Sequence, residues 1–453
     1  MGMATLREFA SRPDGFEVIA FARKSAANAR KLAPFLEKDW FRVEWGDLCN
    51  PEDVKRGVKD ADYVIHMGGM VTPMADFYPQ KTLKVNVEGA RNVARGVKAS
   101  GRAEDIKVIN IGSVAQMGDH RPPHHWGRSG DSLHAAKFDA YSLSKILAER
   151  EIVESGIGRW LCLRQTSILY PELLLKGATP ITFHVPLGGV LEWVTVEDSA
   201  RLMVNLCERE LPDSFWNHFY NIGGGEGFRL TNLEFESKLM KALGCPPPEK
   251  VFEPNWFATR NFHGLWFADS DRLEALVPFR SGVTADEYFR YMASHVPWWM
   301  RLAPLAPSWL IKMAMRQIAK QRLGPLRYIH DNDEAHIEAM FGSRAEWEKI
   351  GDWKAAEREL AATAPVSRKA DSAAIESHGY DEQKPESELD FSDMQKKAAF
   401  EGGECLSATM RRGDLSTPLE WICRHGHRFS ASPALILLGG HWCPECYRHE
   451  ASL

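Results

Sequence analysis

The 453-residue chain has no apolar run near the roughly 18–20 residues that a membrane-spanning helix requires, and its N-terminus lacks the basic-then-apolar layout of a secretory signal. It also lacks a marked excess of one charge. With 56 Lys and Arg against 61 Asp and Glu the net charge is −5, which argues against a general nucleic-acid or membrane-surface protein. A disulfide framework is missing too: Cys49, Cys162, Cys207 and Cys245 are scattered singly in apolar or loop contexts and read as packing residues. These absences leave a soluble cytoplasmic protein as the expectation. The 44% hydrophobic content supports a sizeable core and two or three domains.

One further absence concerns the start. The chain opens MGMATLREFASRPDGFEVIAFARKS: an apolar helix-favouring run, a Pro13-Asp14-Gly15 turn and a strand-like FEVIAFA. That is the second half of a βαβ unit, without the strand and glycine-rich turn that hold a pyrophosphate at a helix N-terminus. From Gly2 to about Gly244 short β-branched runs at 16–22, 41–47, 62–68, 106–113 and 159–167 alternate with amphipathic stretches such as 82–101 and 140–154. This alternation predicts an α/β fold, a Rossmann-like doubly wound parallel sheet over residues 1–244. Residues 245–365 become rich in Pro, Trp and Phe and then helical, which suits a substrate-side extension. Within them 310–323 reads as a helix packed on the sheet domain with a solvated basic face, a lipid-contact helix being the alternative. Residues 366–399 are polar and poor in large aliphatics and read as a flexible linker. A compact module follows at 400–453.

The catalytic signal is AYSLSKILAE, where Tyr141 and Lys145 stand four apart and project from one helix face. A lysine there lowers the phenol's pKa and holds a ribose, so the tyrosine exchanges a proton near neutral pH. Ser113 ends the strand-like INIGS, at the sheet edge where ligands bind, and supplies a hydroxyl for a substrate oxygen. His124 and His125 lie in the loop between them and read as substrate- or solvent-facing, since no companion metal ligands are evident.

With GDLCNPEDVKRGVKDADYVIHMGG, KVNVEGARNVARGV, SVAQMGD, LRQTSILYP, WVTVEDSARLMVNLCE and FYNIGGGEGFRLTNLEF in this order, residues 2 to about 290 resemble an extended short-chain dehydrogenase/reductase of the NAD-dependent epimerase/dehydratase family. The resemblance implies Ser113, Tyr141 and Lys145 as the catalytic triad. It implies Asp47 and Leu48 on the adenine side, Met67, Gly68 and Gly69 along the dinucleotide, Asn86 ordering the site, and Gln165 near the nicotinamide, where the family usually has proline. MGG for LAA, Gly112 for serine and Met117 for tyrosine are further departures. Gly2 matches the last glycine of the family's fingerprint, so a misassigned start is expected, a truncated form being the alternative, with lowered stability or weak cofactor binding unless another segment fills the gap. After FEVIAFA the turn carries Arg23 and Lys24 and no acid, which favours NADP over NAD. Pairing of two copies through the NVEG and YxxxK helices, a homodimer, is also implied.

In the last fifty residues Cys405, Cys423, Cys443 and Cys446 crowd together, and CPEC is a tight chelating pair. Four thiolates suit tetrahedral zinc, and the segment resembles small zinc-ribbon-like modules. His425, His427 and His441 are candidates to replace Cys405, though packing around the site is the expected role. The module's partner is open between protein and nucleic acid. The expected activity is hydride transfer between NADP(H) and a carbonyl or alcohol of a bulky small molecule. A nucleotide-sugar epimerase or dehydratase is the alternative, and a non-catalytic nucleotide-sensing or scaffold protein the reading from another class.

Overall fold

A computed structural model describes all residues except 13–14, 176–177, 299–304, 371–374 and 376. The turn expected at 13–15 rests on residues 13–14, outside the described ones. The chain runs α1 (Gly2–Ala10), β1 (Val18–Ala22), α2 (Ala26–Leu32), β2 (Phe41–Trp45), α3 (Pro51–Val58), β3 (Tyr63–His66), α4 (Met74–Phe77), α5 (Pro79–Ala99), β4 (Lys107–Ser113), α6 (Ala140–Val153), β5 (Arg159–Gln165), α7 (Val196–Glu208) and β6 (His218–Ile222). Helix starts follow capping chemistry: Ser25, Asn50, Asp139 and Thr195 accept backbone N–H groups at the heads of α2, α3, α6 and α7.

The parallel sheet is in two pieces. Strands β3-β4-β5-β6 pair in that order, and β1 pairs with β2. Among the described residues no strand joins β1 to β3. Strand β1 is half-buried along its whole length, whereas β4 and β5 are buried apart from their first residues. Helix α1 links the pieces: Met3 and Leu6 pack on the β1–β2 cluster, and Met1, just before it, packs on the core cluster of the larger sheet together with Tyr63 and Ile65 of β3.

Beyond the sheet, the Phe- and Trp-rich residues form a second core around Phe183, Val251, Phe252, Trp256 and Phe257. Helix α8 (Ser308–Ala319) packs Ile311, Met315 and Ile318 on it. No helix among the described residues is long and apolar enough to cross a membrane.

The C-terminal residues differ from expectation in how they sit. Part of the segment read as linker is a helix, α9 (Phe391–Phe400), with Asp390 as its cap and Met394, Lys397 and Ala398 buried. After it a three-stranded antiparallel sheet, β7 (Glu404–Cys405), β8 (Leu419–Ile422) and β9 (Arg428–Ala431), precedes α10 (Pro444–Ala451). Their apolar residues join the core of the sheet domain: Leu389, Met394, Trp421, Leu435 and Ile436 belong to one cluster with Ile146, Ile152, Trp160 and Phe219. A polar sequence with few aliphatics still folds when a larger surface receives it, and α6 is that surface. Eleven of its residues are buried, on all sides, as expected of a helix covered by another layer. Glu154, just past its end, accepts from Ser432 N and Oγ at 3.0 and 2.7 Å, and Arg150 donates to Ser430 O.

Candidate functional site

Strand β4 ends at Ser113 beside the first turn of α6, which brings Ser113, Tyr141 and Lys145 together. Burial pushes the Tyr141 pKa up to about 12, opposed by a side-chain hydrogen bond with Ser113, so the phenol is not lowered toward neutrality by Lys145 as the sequence predicts. Lys145 Nζ lies 5.9 Å from the Tyr141 ring centroid and donates to Ile111 O at 2.8 Å. Burial lowers its pKa to about 8, opposed by Glu149 one turn further along α6. His66, to which the sequence reading gave no role, is held neutral with a pKa of about 3 by burial and by Lys145.

The residues expected along a dinucleotide line up on the same edge. Gly2 opens α1 against Met67, whose Sδ lies 3.4 Å from where a Cβ would stand. A Cβ on Gly68 would meet Leu48 Cδ1 at 2.8 Å, and one on Gly69 would meet Asn86 Oδ1 at 2.8 Å, so a larger residue at either position would displace that side chain. Asn86 Nδ2 donates to Met70 O and to Ser144 Oγ at 2.9 and 2.8 Å, joining this loop to α6. Asp47 Oδ1 accepts from Cys49 N, and Leu48 O accepts from Asn92, which fixes the loop after β2. Gln165 ends β5 with Nε2 donating to Thr166 O, while its buried Oε1 has no hydrogen-bond partner among the described residues. Arg23 and Lys24 are exposed immediately after β1.

A second titratable group near the triad carried no motif. Asp76, on α4, is pushed up to about 6 by burial and by Asp139, and its Oδ2 has no hydrogen-bond partner among the described residues. Asp139 in turn caps α6 one residue before Ala140 and lies 3.4 Å from His263. Sequence gives no signal for this cluster, because its members are 63 and 124 residues apart and meet only through the fold.

Behind the site lies an ion-paired network that ties the C-terminal residues to α6. Arg164 Nη2 donates to Glu149 Oε1 at 2.6 Å and to Gly439 O at 2.5 Å, and His441 Nε2 is 2.8 Å from the same Glu149 oxygen. Both charged side chains are 0% exposed.

Of the four cysteines expected to share a metal, the structure gathers three. Cys423, Cys443 and Cys446 join His427 with all ligand atoms within 4.8 Å of one another, and Cys405 is not in the group. Cys405 lies on β7, paired with Trp421 of β8. The turn after Cys423 folds back and delivers His427 instead. Cys446 Sγ is 3.7 Å from Cys423 Sγ, and His427 Nδ1 is 3.5 and 3.6 Å from Cys443 and Cys446 Sγ. A tetrahedral zinc with ordinary bond lengths separates two thiolates by about 3.8 Å and a thiolate from an imidazole by about 3.6 Å. The donor set therefore fits zinc. Backbone N–H groups of His425 and His427 hold the Cys423 thiol below its ordinary value against the effect of burial.

A cavity of about 790 Å³ lies between the loop after β4, the second core and the C-terminal residues; its lining includes His120, His124 and Arg260 but none of Ser113, Tyr141 or Lys145. His125 is buried against Trp266.

The model of the NAD dependent epimerase/dehydratase family matches residues 1–157. Among solved structures, the dTDP-glucose 4,6-dehydratase of Streptomyces venezuelae with NAD and TYD bound is 18% identical, covering 65% of this chain and 92% of that one, with a TM-score of 0.52. The UDP-glucuronic acid 4-epimerase of Bacillus cereus in complex with UDP-glucuronic acid and NAD is 14% identical, covering 65% and 95%, with a TM-score of 0.50. At these identities the likeness shows the fold. No curated protein matches the chain.

Proposed function

From an NAD-dependent epimerase/dehydratase domain over residues 1–157, we propose that the chain is an oxidoreductase that prefers NADP and acts on a carbonyl or alcohol carbon of a bulky small molecule. The observation that carries this reading is the hydrogen-bonded Ser113–Tyr141 pair with Lys145 beside it, at the sheet edge lined by Gly2, Met67, Gly68 and Gly69. A nicotinamide dinucleotide bound there supplies or accepts the hydride. Ser113 holds the substrate oxygen, and Tyr141 gives it a proton as the carbonyl is reduced, or takes one in the reverse direction. The Lys145 ammonium favours the phenolate that forms. The unpartnered Gln165 Oε1 suits the carboxamide N–H of a nicotinamide, and Arg23 with Lys24 suits a 2′-phosphate. Zinc on Cys423, His427, Cys443 and Cys446 supplies folding energy to the C-terminal residues and takes no part in the chemistry.

The second reading, a nucleotide-sugar epimerase or dehydratase, is favoured by Asp76. Eliminating a hydroxyl as water needs a further proton donor, and a carboxyl with a pKa of about 6 is protonated in part near neutrality. Fluorescence titration with NADPH and then NADH tests the cofactor, and ketone-dependent NADPH consumption separates the two readings. We expect tighter NADPH binding, and Tyr141→Phe to keep that binding while turnover falls about 10²–10⁴-fold. Tighter binding of NADH overturns the preference, and unchanged turnover in Tyr141→Phe overturns the catalytic reading.

A further inference from the structure

Helix α8 has two apolar faces, and only one is covered. Ile311, Met315, Ile318 and Ala319 face the second core, while Trp309, Leu310 and Met313 on the opposite side are 65, 40 and 50% exposed. Immediately before the helix, Leu305 is 79% exposed, and Trp298 is 74% exposed. A cluster of exposed Trp, Leu and Met on one side of a short helix marks a surface that meets something else. The expectation of a solvated basic face therefore holds for Arg316 but not for the turns before it.

The charge around this face says what meets it. From Ser308 to Ile329 the sequence has Lys312, Arg316, Lys320, Arg322 and Arg327 and no Asp or Glu, in a chain whose net charge is −5. On α8 Lys312 is held by Glu253 from the core beneath, but Arg316, one turn beyond Met313, and Lys320 at the helix end form no ion pair among the described residues. A second copy docking here by two-fold symmetry would set these cations against their own kind. A surface that is apolar inside and anionic at its boundary satisfies both features at once.

We propose that the exposed face of α8, with Trp298 and Leu305 ahead of it, lies on an anionic lipid bilayer surface. The 12-residue helix is about 18 Å long, well short of the roughly 30 Å hydrocarbon core, so it lies in the interface and does not span it. Trp309, Leu310 and Met313 enter the boundary between headgroups and acyl chains, where indole rings are favoured, and Arg316 and Lys320 meet lipid phosphates.

The test is flotation of the full, zinc-loaded chain with vesicles of phosphatidylcholine alone or with 30% phosphatidylglycerol. We expect binding to the anionic vesicles only, weakened by raising the salt from about 0.1 to 1 M. Trp309→Ser/Met313→Ser and, separately, Arg316→Glu/Lys320→Glu should each lower the partition coefficient at least tenfold with an unchanged melting temperature, since all four side chains lie outside the core. No flotation with either vesicle overturns the proposal, as does equal binding to both. A concentration-dependent dimer dissolved by the serine variant also overturns it, and assigns the face to contact between copies.

Discussion

Removing one member of the Arg164–Glu149 pair should cost far more than removing both. Each side chain is 0% exposed, and the pair is closed by Gly439 O and His441 from the C-terminal residues. Arg164→Met leaves the Glu149 carboxylate in the core with only a histidine as hydrogen-bond partner, and Glu149→Leu leaves the guanidinium with the Gly439 carbonyl and the Met117 thioether but no anion. Breaking a buried pair in this way costs about 3–5 kcal/mol, whereas replacing both charges by apolar groups of similar volume is often close to neutral. The double variant still strands Gly439 O and His441 Nε2, so we expect a residual loss of about 2 kcal/mol. For a unit the size of the sheet domain the single variants should melt on the order of 10 °C lower and the double variant distinctly higher than either. The pH dependence gives an independent sign. Burial alone would raise the Glu149 pKa, but Arg164 and His441 bring it down to about 2 from 4.5. A carboxylate depressed by that amount contributes about 3 kcal/mol of stability, fully present above pH 4.5 and lost as the pH falls toward 2. In Arg164→Met burial prevails and the folded-state pKa rises above 4.5, so protonation relieves the variant and its deficit against the parent shrinks between pH 7 and pH 4. Urea unfolding of the four proteins at both pH values is the assay. Single variants within 1 kcal/mol of the parent, a double variant that loses the sum of both, or a deficit that grows in acid would refute this account of the network.

The metal cluster makes a separable forecast. Cys423→Ser and His427→Ala should abolish stoichiometric zinc measured by a colorimetric chelator, and Cys405→Ser should leave one zinc per chain; loss of zinc in Cys405→Ser would return that residue to the ligand set. The covered outer face of α6 leaves pairing through both helices without a surface, so multi-angle light scattering of the zinc-loaded chain should give a monomer, and a dimer would show that copies pair elsewhere or that the C-terminal residues move aside.

How much of this was legible in the sequence depends on the range of the interaction concerned. Helices α5 and α6 and strands β1 to β5 lie within a few residues of where periodicity put them, because apolar spacing and caps such as Asp139 act locally. The split of the sheet into two pieces follows from β1 having no partner but β2 among the described residues. That α1 then ties β1 to β3 through Met1, Met3 and Leu6 depends on packing that spacing does not encode. The helix at 391–400 was missed because its own face is too small to signal a core; Met394 and Ala398 are buried by a surface built from residues far earlier in the chain.

At the candidate site the motif residues were legible and their control was not. Ser113, Tyr141 and Lys145 announce themselves by spacing, yet the charge state of Lys145 also depends on Glu149, whose partners Arg164 and His441 stand 15 and 292 positions away. No local pattern connects those residues. The same holds at the metal cluster, where the cysteine count suggested four thiolates but the short turn from Cys423 to His427 supplies the ligand and the register of β7 against β8 sets Cys405 apart. Both cases have one physical origin. A side chain's chemical type is set by the code, whereas its partners are set by which elements are packed against it. Here one layer, residues 378–453, serves two ends: it gathers its own Cys and His cluster, and it covers the back of α6. Disruption of the Cys423, His427, Cys443 and Cys446 cluster should therefore be felt at Lys145 through Glu149, although none of the four lies beside Tyr141.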